Sequence, residues 1–138
     1  MSIRVLIADD NGHYLAALSR FLHEEGDMDI VGAVSDGERA VSAYEELRPD
    51  VVVMDVFMPK TNGIQATRQI HRRHPASRVV VLTGHEYPWL RGAAFEAGAA
   101  AFVTKHTAPG TLPAAIRDAA SMDTPPGKHG TNNGIEPR

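Results

Sequence analysis

The stretch VVVMDVFMPK, residues 51–60, decides the fold because it places four consecutive apolar residues directly before a carboxylate, Asp55. A continuous apolar run indicates a strand that is buried on both faces of a parallel sheet. An unpaired carboxylate inside such a strand would be strongly destabilising. The stretch therefore predicts either that the strand ends at Asp55 or that Asp55 has a compensating partner.

Four further runs of this kind occur along the chain, and segments of helical length separate them. The runs are IRVLIA (3–8), DIVGAV (29–34), RVVVLT (78–83) and AAFVT (100–104). The intervening segments carry apolar residues at helical spacing, and most of them stop at a glycine or a proline. This alternation predicts an α/β fold of five strand–helix units, with a parallel sheet between two layers of helices.

Composition agrees with one soluble globular domain. The 138 residues are 43% hydrophobic and 22% charged, with a net charge of −3, which argues against direct nucleic-acid binding by this segment. The chain has no cysteine, so disulfides, thiolate catalysis and cysteine-ligated zinc are excluded. No apolar stretch approaches the roughly 18 residues needed to span a bilayer, and the start lacks a signal-peptide pattern. We therefore expect no membrane contact and a cytoplasmic location.

The last 17 residues, 122–138, change character: they hold three prolines, three glycines and few apolar side chains. Such a segment cannot bury enough apolar surface to offset the entropy lost on ordering. The sequence therefore predicts one domain over residues 1–121 and a flexible C-terminal tail or linker stub over residues 122–138.

Polar residues stand at the carboxyl ends of four predicted strands, which is the edge of an open parallel sheet where ligands bind. They are Asp9 and Asp10, Asp55, Thr83 and Lys105. If the first and third strands are neighbours, the carboxylates lie together and repel one another unless a cation neutralises them. Mg²⁺ suits a few carboxylates together with water and phosphate. A carboxylate nucleophile, a metal, a lysine and a hydroxyl fit phosphoryl transfer to Asp55, which gives an acyl phosphate.

Four stretches of the chain resemble a known family in order and spacing. They are ADDN (8–11), MDVFMPKTNG (54–63), VLTG (81–84) and FVTK (102–105). Together they look like the signature stretches of response-regulator receiver domains of two-component signalling. The phrases DIVGAVSDGERAV and PDVVVMD are most similar to the LuxR-type (NarL/FixJ-like) subgroup. The resemblance implies a flavodoxin-like (βα)5 three-layer sandwich whose five-stranded parallel sheet has the order 2-1-3-4-5.

The resemblance also implies a function. Asp55 would accept a phosphoryl group from a histidine kinase or a phosphotransfer protein. The domain would catalyse only its own phosphorylation and dephosphorylation, and so would not be an enzyme in the usual sense. Asp9 and Asp10 would hold Mg²⁺, Asp10 directly, with Asp55 and the backbone carbonyl of Phe57 as further ligands. Lys105 would pair with the phosphoryl group.

Two residues would transmit phosphorylation to the surface. Thr83 would move toward the phosphoryl group, and Phe102 would become buried as it does so, which changes the surface of the fourth helix, fifth strand and fifth helix. The Ala-rich face of the fifth helix has two interpretations, helix packing or a homodimer formed on phosphorylation.

The chain departs from the family pattern at three places. His106 follows Lys105 where the family commonly has proline, so we expect a trans peptide bond there. Phe57 and His85 each stand two residues beyond a site residue, and bulky Phe57 is expected to shield Asp55 and slow autodephosphorylation. No helix-turn-helix is expected in the tail.

Other readings remain open at this stage. Asp9 and Asp10 could be a helix N-cap pair, and Asp55 a strand-end cap. Trp89 could belong to the core or contact a partner, and the histidines of HRRH (71–74) are expected to be solvated. The chain could be the receiver part of a DNA-binding regulator, a phosphatase that forms an aspartyl phosphate, or an interaction module that is never phosphorylated.

Overall fold

The computed structural model describes residues 2–122. Strands and helices alternate throughout, as the apolar runs predict. The strands are β1 (Ile3–Ala8), β2 (Met28–Val34), β3 (Val51–Met54), β4 (Val79–Thr83) and β5 (Ala101–Thr104). The helices are α1 (Gly12–His23), α2 (Gly37–Leu47), α3 (Gly63–Arg73), α4 (Leu90–Glu96) and α5 (Ala108–Ala120). Apart from Met122, the predicted tail lies outside the described residues.

The sheet has the order β2-β1-β3-β4-β5, and all four neighbouring pairs are parallel. This confirms the predicted flavodoxin-like topology. Every residue of β3 and β4 is buried, as expected for central strands with helices on both faces. Strand β3 ends at Met54, so Asp55 is the first residue beyond the buried run.

The two faces of the sheet carry separate cores, because successive side chains of a strand point to opposite sides. Leu6, Val52 and Met54 pack with residues of α2, α3 and α4 on one face. On the other face, Val5 and Val53 belong to the core formed with α1 and α5. The functional edge is therefore held from both sides by packed helices.

Three helices begin at a side-chain cap. Asn11, Asp36 and Asn62 each accept a hydrogen bond from the backbone N–H three residues later, which satisfies one of the free donors of the first turn. The fifth helix begins at Ala108 rather than at Leu112, where the apolar period starts. Its early start is compatible with Pro109, because the first turn of a helix does not need the missing N–H.

Backbone geometry confirms one further prediction. Residues 2–122 contain no cis peptide bond, so the bond between Lys105 and His106 is trans. Within the same range no helix is long and apolar enough to cross a membrane.

Candidate functional site

The site is built where β1 and β3 end side by side. Ala8 pairs with Met54 in the parallel register, and the backbone N–H of Asp55 donates to the carbonyl of Ala8 at 3.0 Å. Asp9 and Asp55 therefore leave adjacent strands at the same edge. The predicted convergence follows from strand order alone, because parallel neighbours end on the same side.

Three carboxylates meet at this edge. Asp9, Asp10 and Asp55 each offer an oxygen, and these oxygens lie within 4.8 Å of one another. Asp9 and Asp55 are buried, whereas Asp10 is exposed. Oxygen ligands at this spacing fit a hard divalent cation such as Mg²⁺. Within residues 2–122, these three side chains form the one group of acidic or histidine residues whose spacing could hold a metal ion.

Lys105 brings the positive charge to these carboxylates from the end of β5. Its Nζ lies 2.7 Å from Oδ2 of Asp9 and 3.7 Å from Oδ2 of Asp55. The backbone N–H of Lys105 donates to the carbonyl of Thr83 at 2.8 Å, which anchors the strand end. The ammonium thus rests on Asp9 and stays within reach of Asp55.

The surroundings of Asp55 raise its pKa to about 6. Burial is the main cause, the negative charge of Asp9 adds to it, and the charge of Lys105 opposes it. The backbone N–H of Val56 donates to Oδ1 of Asp55 at 2.9 Å and also favours the ionised form. Burial opposes the charge on Lys105, but its hydrogen bond to Asp9 and the nearby carboxylates raise its pKa. The site thus destabilises the ionised form of Asp55 and stabilises the protonated, charged form of Lys105.

Thr83 and Phe102 lie on the neighbouring strands. Thr83 is fully buried at the end of β4, and its hydroxyl accepts a hydrogen bond from the backbone N–H of His85 at 3.1 Å. Phe102 is half-buried in β5, and the guanidinium of Arg91 lies 5.8 Å from the centre of its ring. The role of Thr83 and Phe102 as a switch stays a prediction.

An aromatic row runs outward from the site. The rings of Phe57 and His85 pack edge to face, with their centres 4.6 Å apart. The ring of His85 stacks on that of Tyr87 with a centre-to-centre distance of 5.7 Å, and Tyr87 stacks on Trp89 at 5.9 Å. Trp89 is 58% exposed, which excludes the interpretation that it belongs to the core. Phe57 is 40% exposed and packs against the loop between β4 and α4.

Two residues close to the site were not assigned to it from the sequence. Gly63 packs so tightly that a Cβ on it would lie 1.7 Å from the carbonyl oxygen of Asp55, where the sequence indicates only a turn residue. The ring of Tyr14 lies 4.2 Å from Nζ of Lys105. The only signal for Tyr14 in the sequence is its place in the first helical turn after the acidic pair.

The histidines of HRRH, His71 and His74, contact residues of other parts of the fold. Nε2 of His74 lies 2.9 Å from Glu45 of α2, and the ring of His71 packs against Gly98. Both side chains are half-buried, so the expectation that they are solvated is wrong. Their partners come from other helices, which spacing within α3 does not reveal.

Comparison with known proteins agrees with this geometry. The sequence profile described as the response regulator receiver domain matches residues 5–117. The response regulator GacA of Pseudomonas viridiflava is 37% identical over 115 residues, which are 83% of this chain and 54% of that protein. The chain thus spans about half the length of that relative.

Solved structures show the same fold. A LuxR-family two-component response regulator from Aurantimonas sp. SI85-9A1 superimposes with a TM-score of 0.83 at 32% identity, covering 87% of this chain and 86% of that one. A chain of the CheX–CheY–BeF3–Mg²⁺ complex from Borrelia burgdorferi has a TM-score of 0.78 at 25% identity, covering 84% of this chain and 87% of that one.

Proposed function

The chain belongs to the response regulator receiver domain family, and on that premise we propose that Asp55 is its phosphoacceptor. As a member of this family it acts in phosphorylation-dependent two-component signalling. The observation that carries the proposal is the position of Asp55: buried at a strand end, among carboxylates and 3.7 Å from the Lys105 ammonium. Phosphorylation would change the charge at this point of the fold.

In the proposed reaction a carboxylate oxygen of Asp55 attacks the phosphorus of a phosphohistidine on a kinase or phosphotransfer protein. The P–N bond breaks, its electron pair goes to the imidazole nitrogen, and an O–P bond forms to give an acyl phosphate. A pKa of about 6 leaves Asp55 mostly ionised at neutral pH, so the nucleophile needs no general base. Receiver domains are signalling modules, and we propose that this one acts on no substrate besides its own phosphoacceptor.

The carboxylates fit Mg²⁺, because oxygens within 4.8 Å of one another repel unless a cation lies between them. We propose that Asp9, Asp10 and Asp55 hold this ion, with the backbone carbonyl of Phe57 as a further ligand. When bound, Mg²⁺ would neutralise charge on the phosphoryl oxygens. The similarity to a chain of a complex that contains BeF3 and Mg²⁺ supports the choice of metal.

Lys105 would serve the phosphoryl group rather than the resting carboxylates. Its ammonium rests at 2.7 Å from Asp9 and is partly exposed, on a long stem whose rotations can bring it to a phosphoryl oxygen on Asp55. Thr83 would donate a hydrogen bond from its hydroxyl to another phosphoryl oxygen. That movement would free space next to β5 for the ring of Phe102.

Phe57 would control how long the phosphoryl group lasts. Phe57 lies two residues beyond Asp55, and its ring packs on His85 of the loop that follows β4. We expect it to slow attack by water on the acyl phosphate. Replacement by asparagine should shorten the lifetime of the phosphorylated state, measured as loss of the added mass after the donor is removed. An unchanged lifetime would refute this role.

The partners and location follow the family. A histidine kinase or phosphotransfer protein would supply the phosphoryl group, and a cytoplasmic location, typical of the family, is proposed for this chain. We also propose that phosphorylation favours a homodimer, which light scattering with and without phosphodonor would detect as a doubled mass.

Intact mass spectrometry tests the central proposal. The parent, Asp55→Ala and Asp118→Ala are incubated with acetyl phosphate and Mg²⁺, and each sample is repeated with EDTA. Asp118 is an exposed carboxylate of α5 and serves as the matched control. The parent and Asp118→Ala should gain one phosphoryl group with Mg²⁺ only, and Asp55→Ala should gain none. Equal labelling of Asp55→Ala, or no labelling of the parent, would refute the assignment.

A further inference from the structure

We propose that Tyr14 is a positioning residue that holds the Lys105 ammonium at the phosphoacceptor site. The proposal rests on the assignment of Asp55 as phosphoacceptor. Nζ of Lys105 lies 2.7 Å from Oδ2 of Asp9, 3.7 Å from Oδ2 of Asp55 and 4.2 Å from the ring centre of Tyr14. The first two are carboxylates, and Tyr14 supplies an aromatic face, which attracts a cation through its quadrupole.

The first turn of α1, which carries Tyr14, is attached to the loop that carries Asp9 and Asp10. The backbone N–H of Asn11 donates to Oδ1 of Asp9 at 2.9 Å, and the side chain of Asn11 accepts from the backbone N–H of Tyr14 at 3.1 Å. These two bonds tie the first turn of α1 to the strand end. The backbone of Tyr14 is therefore fixed relative to Asp9, and its side chain is half-buried.

The ring differs from the carboxylates in what else it can bind. Asp9 and Asp55 are proposed ligands of Mg²⁺, so the ammonium must share both of them with another cation. The aromatic ring takes no part in such a site, because hard divalent ions prefer oxygen ligands. Burial raises the pKa of the Tyr14 hydroxyl, which keeps it neutral at working pH. Tyr14 is thus a lysine partner that does not compete for the metal.

Without the ring, the ammonium could turn away from the site. Tyr14 and Lys105 line an open groove between α1 and α5, together with Phe21 and Pro109. A lysine stem has several rotatable bonds, and its ammonium is strongly hydrated. We infer that removing the ring lets the ammonium swing into this groove toward water, which leaves the phosphoryl group less often neutralised.

The first test compares phosphorylation rates with acetyl phosphate, which excludes effects on kinase docking. Tyr14→Phe keeps the ring face and should stay within about twofold of the parent. Tyr14→Leu and Tyr14→Met remove the ring and should be about two- to fivefold slower, as expected for one cation–π contact. Phe21→Leu makes the same change elsewhere in the groove and should match the parent. Equal rates for the parent and both ring-free variants would overturn the proposal.

A double-mutant cycle shows whether Tyr14 acts through Lys105. In a Lys105→Met background, Tyr14→Leu should cause no further loss of rate, because the ammonium that it positions is gone. An equal loss in both backgrounds would mean that Tyr14 acts by another route. Thermal unfolding of each variant separates loss of fold from loss of rate.

A third measurement needs neither metal nor phosphate. Carbon relaxation at the ε-methylene of Lys105 reports side-chain mobility, which should rise in Tyr14→Leu and stay at the parent level in Tyr14→Phe. Unchanged mobility in Tyr14→Leu would contradict the contact.

The outcomes also separate the two proposals. If the parent takes no phosphoryl group on Asp55, the phosphoacceptor assignment fails. If the parent is labelled and the ring-free variants are phosphorylated at the parent rate, only the role of Tyr14 fails.

Discussion

Two ionic clusters in this domain each place one cation within 4 Å of two carboxylates, yet they shift carboxyl pKa values in opposite directions. In the strand-end cluster, the Lys105 ammonium faces the carboxylates of Asp9 and Asp55. In the Arg117 cluster, the guanidinium of Arg117 faces Asp27 and Glu25, with N–O distances of 2.8 Å to each. The strand-end cluster also contains Asp10, whose carboxylate lies near those of Asp9 and Asp55.

The pKa values move in opposite directions. Burial and the charge of Asp9 raise the pKa of Asp55 to about 6, in spite of Lys105. The hydrogen bond from Arg117 lowers the pKa of Asp27, whose side chain is 38% exposed, far more than that of Asp55. Water screens the surplus negative charge around Arg117, whereas the buried edge retains it. The comparison teaches that burial, and not the number of ion pairs, decides the direction in which the carboxyl pKa moves.

The largest effect is expected from Gly63→Ala, which disturbs the strand-end cluster through its backbone. The added Cβ would lie 1.7 Å from the carbonyl oxygen of Asp55, so the loop or the strand end must shift. We expect the free energy of unfolding to fall by about 3 kcal/mol, together with slower phosphorylation. Chemical denaturation measures the first and intact mass the second.

Gly92→Ala is the matched control for this change. Gly92 lies inside α4, and a Cβ on it would meet nothing within 4 Å. Because alanine is the better helix former, this variant should be more stable by about 0.5–1 kcal/mol. Two alanine variants of equal stability would contradict the close packing of Gly63 on Asp55.

Asp55→Asn should have the next largest effect, and it should be stabilising. A carboxyl pKa of about 6 in the folded state, against about 4 in the unfolded chain, means that ionised Asp55 destabilises the fold above pH 6. Without metal, the neutral amide should therefore raise the free energy of unfolding by about 2 kcal/mol at pH 7.5. The gain should shrink as the pH falls from 6 to 4 and vanish below pH 4, where the parent carboxyl is protonated in both states.

Asp27→Asn is the counterpart of this variant in the Arg117 cluster and should have the opposite sign. The lowered pKa of Asp27 means that its ionised form stabilises the fold above the unfolded pKa. The variant should lose stability at pH 7.5, and the loss should disappear as the pH falls through the folded pKa. Denaturation curves in EDTA between pH 3.5 and 8 give, for both variants, the change in the free energy of unfolding as a function of pH. Two profiles of the same sign would defeat the comparison.

The smallest effect is expected from Arg117→Gln. Arg117 is 41% exposed, and exposed ion pairs contribute little because water and salt screen them. We expect a minor loss of stability at low ionic strength that 1 M NaCl largely removes, measured by thermal unfolding. Arg72→Gln on α3 is the control, because Arg72 makes no ion pair with residues 2–122. A loss that persists at high salt would show that Arg117 acts by packing.

Much of the site was predictable from local pattern. Runs such as VVVM and RVVVLT mark buried parallel strands, and the polar residues that follow them must gather at one edge. That reasoning brings Asp9, Asp10, Asp55 and Lys105 together, as the structure does. It does not tell which of two adjacent aspartates is buried, because both follow the same strand.

The sequence by itself determined the order of the elements, the strands buried on both faces and the edge at which charged groups collect, because periodicity and chain direction are local properties. Only the tertiary structure decided that Asp9 is buried while Asp10 is exposed, and that Lys105 rests on Asp9. It also decided that Tyr14 and Gly63 contact the site. These features depend on how far side chains reach and how closely backbones approach after packing, which no spacing along the chain encodes.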